Sequence, residues 1–365
     1  ALRHVGAHAA EADHSQLHVV VSVDVGSKAC IVCCAHRGAD SIMVEITPDD
    51  IAAAAARIDA HVRRTPTWRL PGTALGVAPG TPPFEAWLKL EHLQRGGSFK
   101  ARGMFNRLLS HTIPPAGVIA ASGGNAGIAT ALAARALGVR AEIHVPSIAT
   151  GAKRARLAAL GAHVVVGGDS YADAYEACVA RQRETGALMT HAYDQPEVVT
   201  GAGTLGREIE GDAGLPDRVL VSVGGGGLIG GIAAWFAGRS RIVGLEPQRA
   251  PTLFRARAAG EPVDVAVGGV AADSLGARRL GAIAWGIAQR HVADAVLLDD
   301  DAIVEAQHFL WREFRLAVEP AAALPLAALR TGAVVPRAGE RIALIVCGAN
   351  FDPATLADPV AETAR

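Results

Sequence analysis

From residue 117 onward the apolar residues alternate between two textures, short β-branched runs of three to six and longer stretches with apolar positions three and four apart. The first texture predicts strands and the second helices. Strands are expected at 118–121, 141–145, 164–166, 188–190, 219–223, 241–245 and 341–346. Helices are expected at 126–137, 152–160, 170–183, 228–236, 302–315 and 321–330, with another running from Pro196 through Leu205 and Ile209. Gly138 and Gly161 supply stops. Upstream, Thr47 and Pro48 cap and open a helix reaching about residue 62, closed by Thr65-Pro66. Residues 86–90 alternate as a strand, and 99–109 have helical spacing that puts Lys100 at a helix start. Strand and helix alternate throughout, which predicts an α/β fold of three αβα layers built on parallel-rich twisted sheets. Between 246 and 294 the signals weaken, and the loop at 271–276 is too apolar for a plain linker.

A chain of 365 residues exceeds the usual single domain, so two compact lobes are expected. Residues 1–46 differ in texture: His4, His8, His14, His18 and His36 crowd beside a β-branched run at 19–25. They lack the basic start and long apolar region of a secretory signal and read as an atypical extension, a single added strand or an over-long start. Residues 353–365 read as a tail. The net charge of -1 provides no global field for nucleic acid or anionic membrane. No apolar run of about 18 residues occurs, so a spanning helix is not expected. A small-molecule ligand is the remaining class. Five cysteines, an odd number in a large chain, argue for a reducing cytoplasm over a disulfide framework. Cys30, Cys33 and Cys34 with His36 lack a second ligand pair at zinc-finger spacing, so no metal is assigned there.

The candidate chemistry gathers on three stretches. Gly97-Ser98-Phe99-Lys100 presents a lysine between apolar flanks, where an amine can lose its proton. Alone, a lysine here reads more readily as a surface residue pairing with Glu91, and the apolar flanks of Lys100 shift the balance toward chemistry. Gly224, Gly225, Gly226 and Gly227 lie between a β-branched strand and a helix, where free amides and a positive helix end favour a phosphate. Four consecutive glycines cost too much chain entropy for a mere turn. Gly225, Gly227 and Gly230 also fit G-x-G-x-x-G, with Glu246 ending the next strand as a ribose-binding acid would, which leaves a nicotinamide (NAD-dependent) dehydrogenase as an alternative. Ser122, Gly123, Gly124, Asn125, Ala126 and Gly127 follow a strand and open a helix, as a carboxylate cradle or as an ordinary cap by Ser122 or Asn125. Cys347 lies at a strand's carboxyl end, where parallel sheets place ligands, and reads equally as an inert buried thiol. An amine, an anion cradle and a polar loop together point to a phosphorylated aldehyde.

Over roughly residues 47–352 the chain resembles the serine/threonine dehydratase group of fold-type II pyridoxal-phosphate enzymes, the tryptophan synthase beta-like class. Lys89-x-Glu91-x-x-Gln94-x-x-Gly97-Ser98-Phe99-Lys100-x-Arg102-Gly103 is similar to the cofactor attachment signature nearly position for position. The Ser122 loop, the tetraglycine loop, Val318-Glu319-Pro320 and the Cys347 loop follow in family order. The resemblance implies that Lys100 binds pyridoxal 5'-phosphate covalently and that Phe99 packs on its ring. Asn125 would bond the ring hydroxyl, and Ser122, Gly123, Asn125 and Ala126 would surround the substrate carboxylate. The four glycines would hold the phosphate, and Cys347 would face the ring nitrogen where the family usually has serine. Glu319 and Ser274 are further candidates. It also implies a large cofactor-binding domain of residues 47–115 with 195–352, a small mobile domain of 116–194, and a homodimer.

A thiol at the ring nitrogen does not fix a proton there, so a long-lived carbanion is discouraged and elimination is favoured over transamination. The implied reaction is β-elimination from L-threonine or L-serine to a 2-oxo acid and ammonia, with Lys100 as base. Gly123 stands where racemase members carry a second-face serine, and Ala126 replaces a common histidine, so racemisation is expected to be weak. Glu246-Pro247 and Ala250 are followed by Thr252 where some members have an acid for a divalent cation, so no metal is expected. A racemising or β-replacing enzyme on another amino acid is the alternative within the family.

Overall fold

The computed structural model describes residues 45–356. The readings of the 19–25 run, of Cys30, Cys33, Cys34 and His36, and of residues 357–365 lie outside the described residues. Helix α1 (Pro48–Ile58) opens as expected. The Thr47 side chain accepts from the Asp50 amide, and the Asp50 carboxylate accepts from the Thr47 amide, a reciprocal cap. It ends four residues earlier than expected, because the amides of His61 and Val62 turn back onto the Ile58 carbonyl (2.8 and 3.1 Å).

Two sheets follow. The first takes β1 (Thr67–Pro71), β2 (Glu85–Lys89), β7 (Arg218–Ser222), β8 (Arg241–Pro247), β9 (Val292–Leu298) and β10 (Arg341–Ile345), in the spatial order β1-β2-β10-β7-β8-β9. All its neighbours run parallel except β1, which pairs antiparallel with β2. The second takes β3 (Val118–Ala121), β4 (Ala141–Val145), β5 (His163–Val166) and β6 (Leu188–Met189), all parallel in the order β5-β4-β3-β6. The expected parallel-rich α/β architecture is therefore observed. Parallel strands need helical crossovers, supplied here by α2 (Lys100–Leu109), α3 (Asn125–Ala136), α4 (Gly151–Ala159), α5 (Tyr171–Thr185), α6 (Pro196–Ala213) and α7 (Gly227–Phe236). Helices α8 (Thr252–Ala259), α9 (Ala282–His291), α10 (Asp300–Phe314) and α11 (Pro320–Arg330) complete the fold. Strands β1 and β9 and helices α8 and α9 are additions to the sequence expectation.

The main core packs β2, β7, β8 and β10 against α6, α7 and α11, with Trp87, Phe236 and Leu344 among its buried residues. A second core surrounds β3 and β4 and recruits Ile58, Met104, Phe105 and Leu108 from α1 and α2. Helix α2, which begins at Lys100, is thus held by the core of the second sheet while its preceding strand belongs to the first. Among the described residues no helix is long and apolar enough to cross a membrane. Residues Pro353–Leu356 form a short 3-10 turn that buries Leu356.

Candidate active site

Strands β2, β7, β10 and β3 each end in one of the stretches singled out from the sequence. The order of the first sheet reverses between β10 and β7, and such a reversal opens a crevice at the carboxyl ends of the strands. The Lys100 segment is fastened across this crevice. Phe99 N donates to Cys347 O (3.1 Å) and Ala349 N donates to Gly97 O (2.8 Å), around an antiparallel bridge between Ser98 and Gly348. Gly97 has φ +77, and a Cβ there would come within 2.6 Å of Asn350 Oδ1, so the turn before the lysine requires glycine.

A cavity opens at this point. It brings together Phe99, Lys100, Asn125, the four glycines, Ser274, Glu319 and Cys347. Ser122, Gly123 and Ala126 do not line it; they adjoin Asn125 at the start of α3. Tyr193, Ser222, Leu228, Leu275 and Ala321 line it as well and had no signal in the sequence strong enough to name them. Tyr193 explains part of the glycine run, since a Cβ on Gly225 would fall 2.2 Å from its ring.

Lys100 is half-buried and does not pair with Glu91. Its Nζ donates to the Ala192 carbonyl (2.6 Å) and lies 4.9 Å from the centre of the Phe99 ring. Burial lowers its pKa to about 8, against the opposing pull of Cys347 and Glu319. Glu91 instead is fully buried against Arg102, which donates to both of its oxygens (2.8 and 2.7 Å) and also to Glu208 (2.7 and 2.8 Å). Burial by itself would raise the Glu91 pKa, and the Arg102 guanidinium overrides it and lowers it. Lys89, also fully buried, donates to Glu208 (2.8 Å) and to the Thr65 carbonyl (2.7 Å). Gln94 holds both the amide and the carbonyl of Arg63 (2.8 and 2.7 Å). The polar residues around the lysine therefore form a scaffold beneath it.

On the opposite wall, none of the amides of Gly224, Gly225, Gly226 and Gly227 donates a hydrogen bond among the described residues, and no side chain caps α7. Free amides at a helix start bind a phosphate well, so the residues present fit a phosphorylated cofactor. Beside them Glu319 faces Asn125 Nδ2 (3.1 Å to each oxygen) and accepts from the Asn350 amide (3.2 Å). Burial raises its pKa to about 7, against the bonds from Asn125 and Asn350 and the charge of Lys100. Burial likewise pushes the Cys347 thiol well above its ordinary value, leaving it neutral.

Glu246 is not a ribose-binding acid. It is fully buried and accepts from the Leu253 and Phe254 amides (2.7 and 2.8 Å) at the start of α8. Gly230 is buried inside α7. These placements remove the dinucleotide alternative. Ser122 does not cap α3; its Oγ accepts from the Gly124 amide (3.3 Å). Arg278 and Arg279 are exposed. Among the described residues no three His, Cys, Asp or Glu side chains gather as a metal ion requires.

A family profile described as pyridoxal-phosphate dependent enzyme matches residues 58–348. The chain is 33% identical over 273 residues to an L-threonine ammonia-lyase of Thermotoga maritima, covering 73% of this chain and 68% of the relative. It is 34% identical over 318 residues to a phenylserine dehydratase of Ralstonia pickettii, covering 84% and 94%. The solved structure of maize serine racemase superposes with a TM-score of 0.79 at 31% identity, covering 86% of this chain and 96% of that one.

Proposed function

This chain belongs to the pyridoxal-phosphate dependent enzyme family, and from that premise we propose that it is an ammonia-lyase that converts L-threonine or L-serine to a 2-oxo acid and ammonia. The observation that carries the reading is the pairing, in one cavity, of an amine with a pKa near 8 and a wall of four undonated amides. Bound there, pyridoxal phosphate supplies the aldehyde and electron-withdrawing ring that make an amino acid's α-proton acidic. Glycines 224–227 would hold its phosphate, Phe99 would pack on its ring, and Asn125, held by Glu319 and Asn350, would bond the ring hydroxyl. Cys347, neutral by burial, would face the ring nitrogen and add no charge there. The Ser122 hydroxyl, with the amides of Gly123, Asn125 and Ala126, would receive the substrate carboxylate at the start of α3. Lys100 Nζ, with its pKa lowered, is partly neutral at physiological pH and takes the α-proton as general base.

The balance is simple. The substrate loses its α-proton and β-hydroxyl as water, water then cleaves the carbon–nitrogen bond, and threonine leaves as 2-oxobutanoate and ammonia. Elimination is favoured over racemisation by Gly123, which offers no acid on the second face; racemisation remains the second reading because of the similarity to serine racemases. We also propose that residues 47–115 with 195–352 act as the large domain and 116–194 as a small mobile one, a division supported by the two separate sheets. A cytoplasmic homodimer completes the proposal.

The test is the visible spectrum of purified wild type and Lys100→Ala, followed by addition of L-threonine. Wild type is expected to carry a visible absorption band and to release 2-oxobutanoate. Lys100→Ala is expected to lose both, with a rate loss of at least about 10³-fold, the scale of removing an essential nucleophile and base. An active Lys100→Ala would refute the assignment.

A further inference from the structure

The glycine loop presents its amides inward only if its carbonyls are held outward, and the structure holds three of them, that of Gly226 by the Gly230 amide (2.8 Å). Gly281 N donates to Gly225 O (3.1 Å). Thr252 Oγ1 lies 2.5 Å from Gly224 O. Thr252 is fully buried and is the first residue of α8. Its hydroxyl lies also 3.0 Å from Glu246 Oε1, whose carboxyl accepts from the Leu253 and Phe254 amides. Pro251, at the cap position of α8, makes no side-chain cap, so Glu246 does the capping from the neighbouring strand.

The protons in this cluster can be counted. A hydroxyl carries one proton and a carbonyl can only accept, so the short contact to Gly224 takes the Thr252 proton. The longer contact between Thr252 Oγ1 and Glu246 Oε1 seats the hydroxyl against the carboxyl that caps α8. Glu246 is fully buried, and no arginine, lysine or histidine pairs with it among the described residues. The result is a chain from Glu246 through Thr252 to the carbonyl of the first loop glycine.

We propose that Thr252, seated by Glu246, is a positioning residue that aims the glycine-loop amides at the cofactor phosphate without touching it. This rests on the reading that the loop holds that phosphate. The carbonyls of Gly225 and Gly226 have amide donors in Gly281 and Gly230, whereas Gly224 O has the Thr252 hydroxyl as its donor, so Thr252 fixes the peptide that opens the loop. Removing the hydroxyl leaves the Gly224 carbonyl buried without its donor and frees the peptide to rotate.

The experiment is a titration of cofactor-free protein with pyridoxal phosphate and, separately, with phosphate-free pyridoxal, followed by absorbance. Thr252→Val is expected to weaken pyridoxal phosphate binding about tenfold, the scale of one hydrogen bond, with pyridoxal binding unchanged. Its kcat at saturating cofactor is expected to stay within about twofold of wild type, because no reacting atom has lost a contact. Thr252→Ser keeps the hydroxyl, is the safer variant to fold, and is expected to match wild type; a loss there would assign the effect to methyl packing and overturn the proposal. Equal binding of pyridoxal phosphate by Thr252→Val and wild type overturns it too, as does an equal loss of both ligands. A wild type that takes up pyridoxal but gains nothing from the phosphate overturns the reading of the loop, and this inference with it.

Discussion

Lys100 is the residue on which the chemistry turns, and its environment explains its reactivity. A lysine in water is almost wholly protonated at neutral pH, and a protonated amine is neither nucleophile nor base. Half-burial beside Phe99, with only a backbone carbonyl as partner, moves its pKa to about 8. The sign is that the neutral amine gains as pH rises through that value. Uptake of pyridoxal phosphate by cofactor-free protein is therefore expected to accelerate with pH and level off above about 8, the lowered value, followed by stopped-flow absorbance. A pH-independent rate would show that amine deprotonation does not limit attachment. The apolar flanks of Lys100 were legible in the sequence. Its partner was not, since Ala192 lies 92 positions away and offers only a carbonyl. Tyr193 escaped notice similarly: nothing in its neighbours shows that its ring fills the space beside Gly225.

Among the elements, those buried on both faces were the easiest to read. Strands β3, β4, β7 and β10 are short β-branched or apolar runs between glycine or polar breaks, and their expected limits fall within one residue of those observed. Strand β1 was invisible because its five residues are largely exposed and edged by Pro71, so no alternation marks it. Helix α8 has only eight residues, and α9 follows the irregular loop, so neither sustains a period long enough to stand out. Helices α6 and α7 meet through glycines, which sequence periodicity counts as breaks. A Cβ on Gly231 would lie 2.4 Å from Val199 O and 2.5 Å from Gly203 N, both backbone atoms that cannot yield cheaply. Gly231→Ala is expected to lower stability by about 1–3 kcal/mol, as overpacking does, read from the midpoint of denaturant unfolding. An unchanged midpoint would mean that the two helices can slide apart without cost.

At the scale of the whole molecule, the cavity collects residues from position 99 to position 347, and the sequence could name the stretches but not their convergence. What makes them converge is the sheet order, with β10 inserted between β2 and β7, together with the ionic scaffold beneath Lys100. Arg102 is the centre of that scaffold, fully buried between Glu91 and Glu208. Arg102→Met is expected to cost about 3–5 kcal/mol by stranding buried carboxylates, seen in thermal and denaturant unfolding. A cost below about 1 kcal/mol would show that the scaffold is no stronger than a surface pair. The same architecture also carries serine racemases, so fold does not decide between elimination and racemisation. The measurement that addresses the central claim most directly is the fate of L-serine incubated with the cofactor-loaded protein, with pyruvate, ammonia and D-serine quantified together. The account predicts pyruvate and ammonia in equal amounts and D-serine as a minor product at most, whereas D-serine accumulating ahead of pyruvate would contradict it.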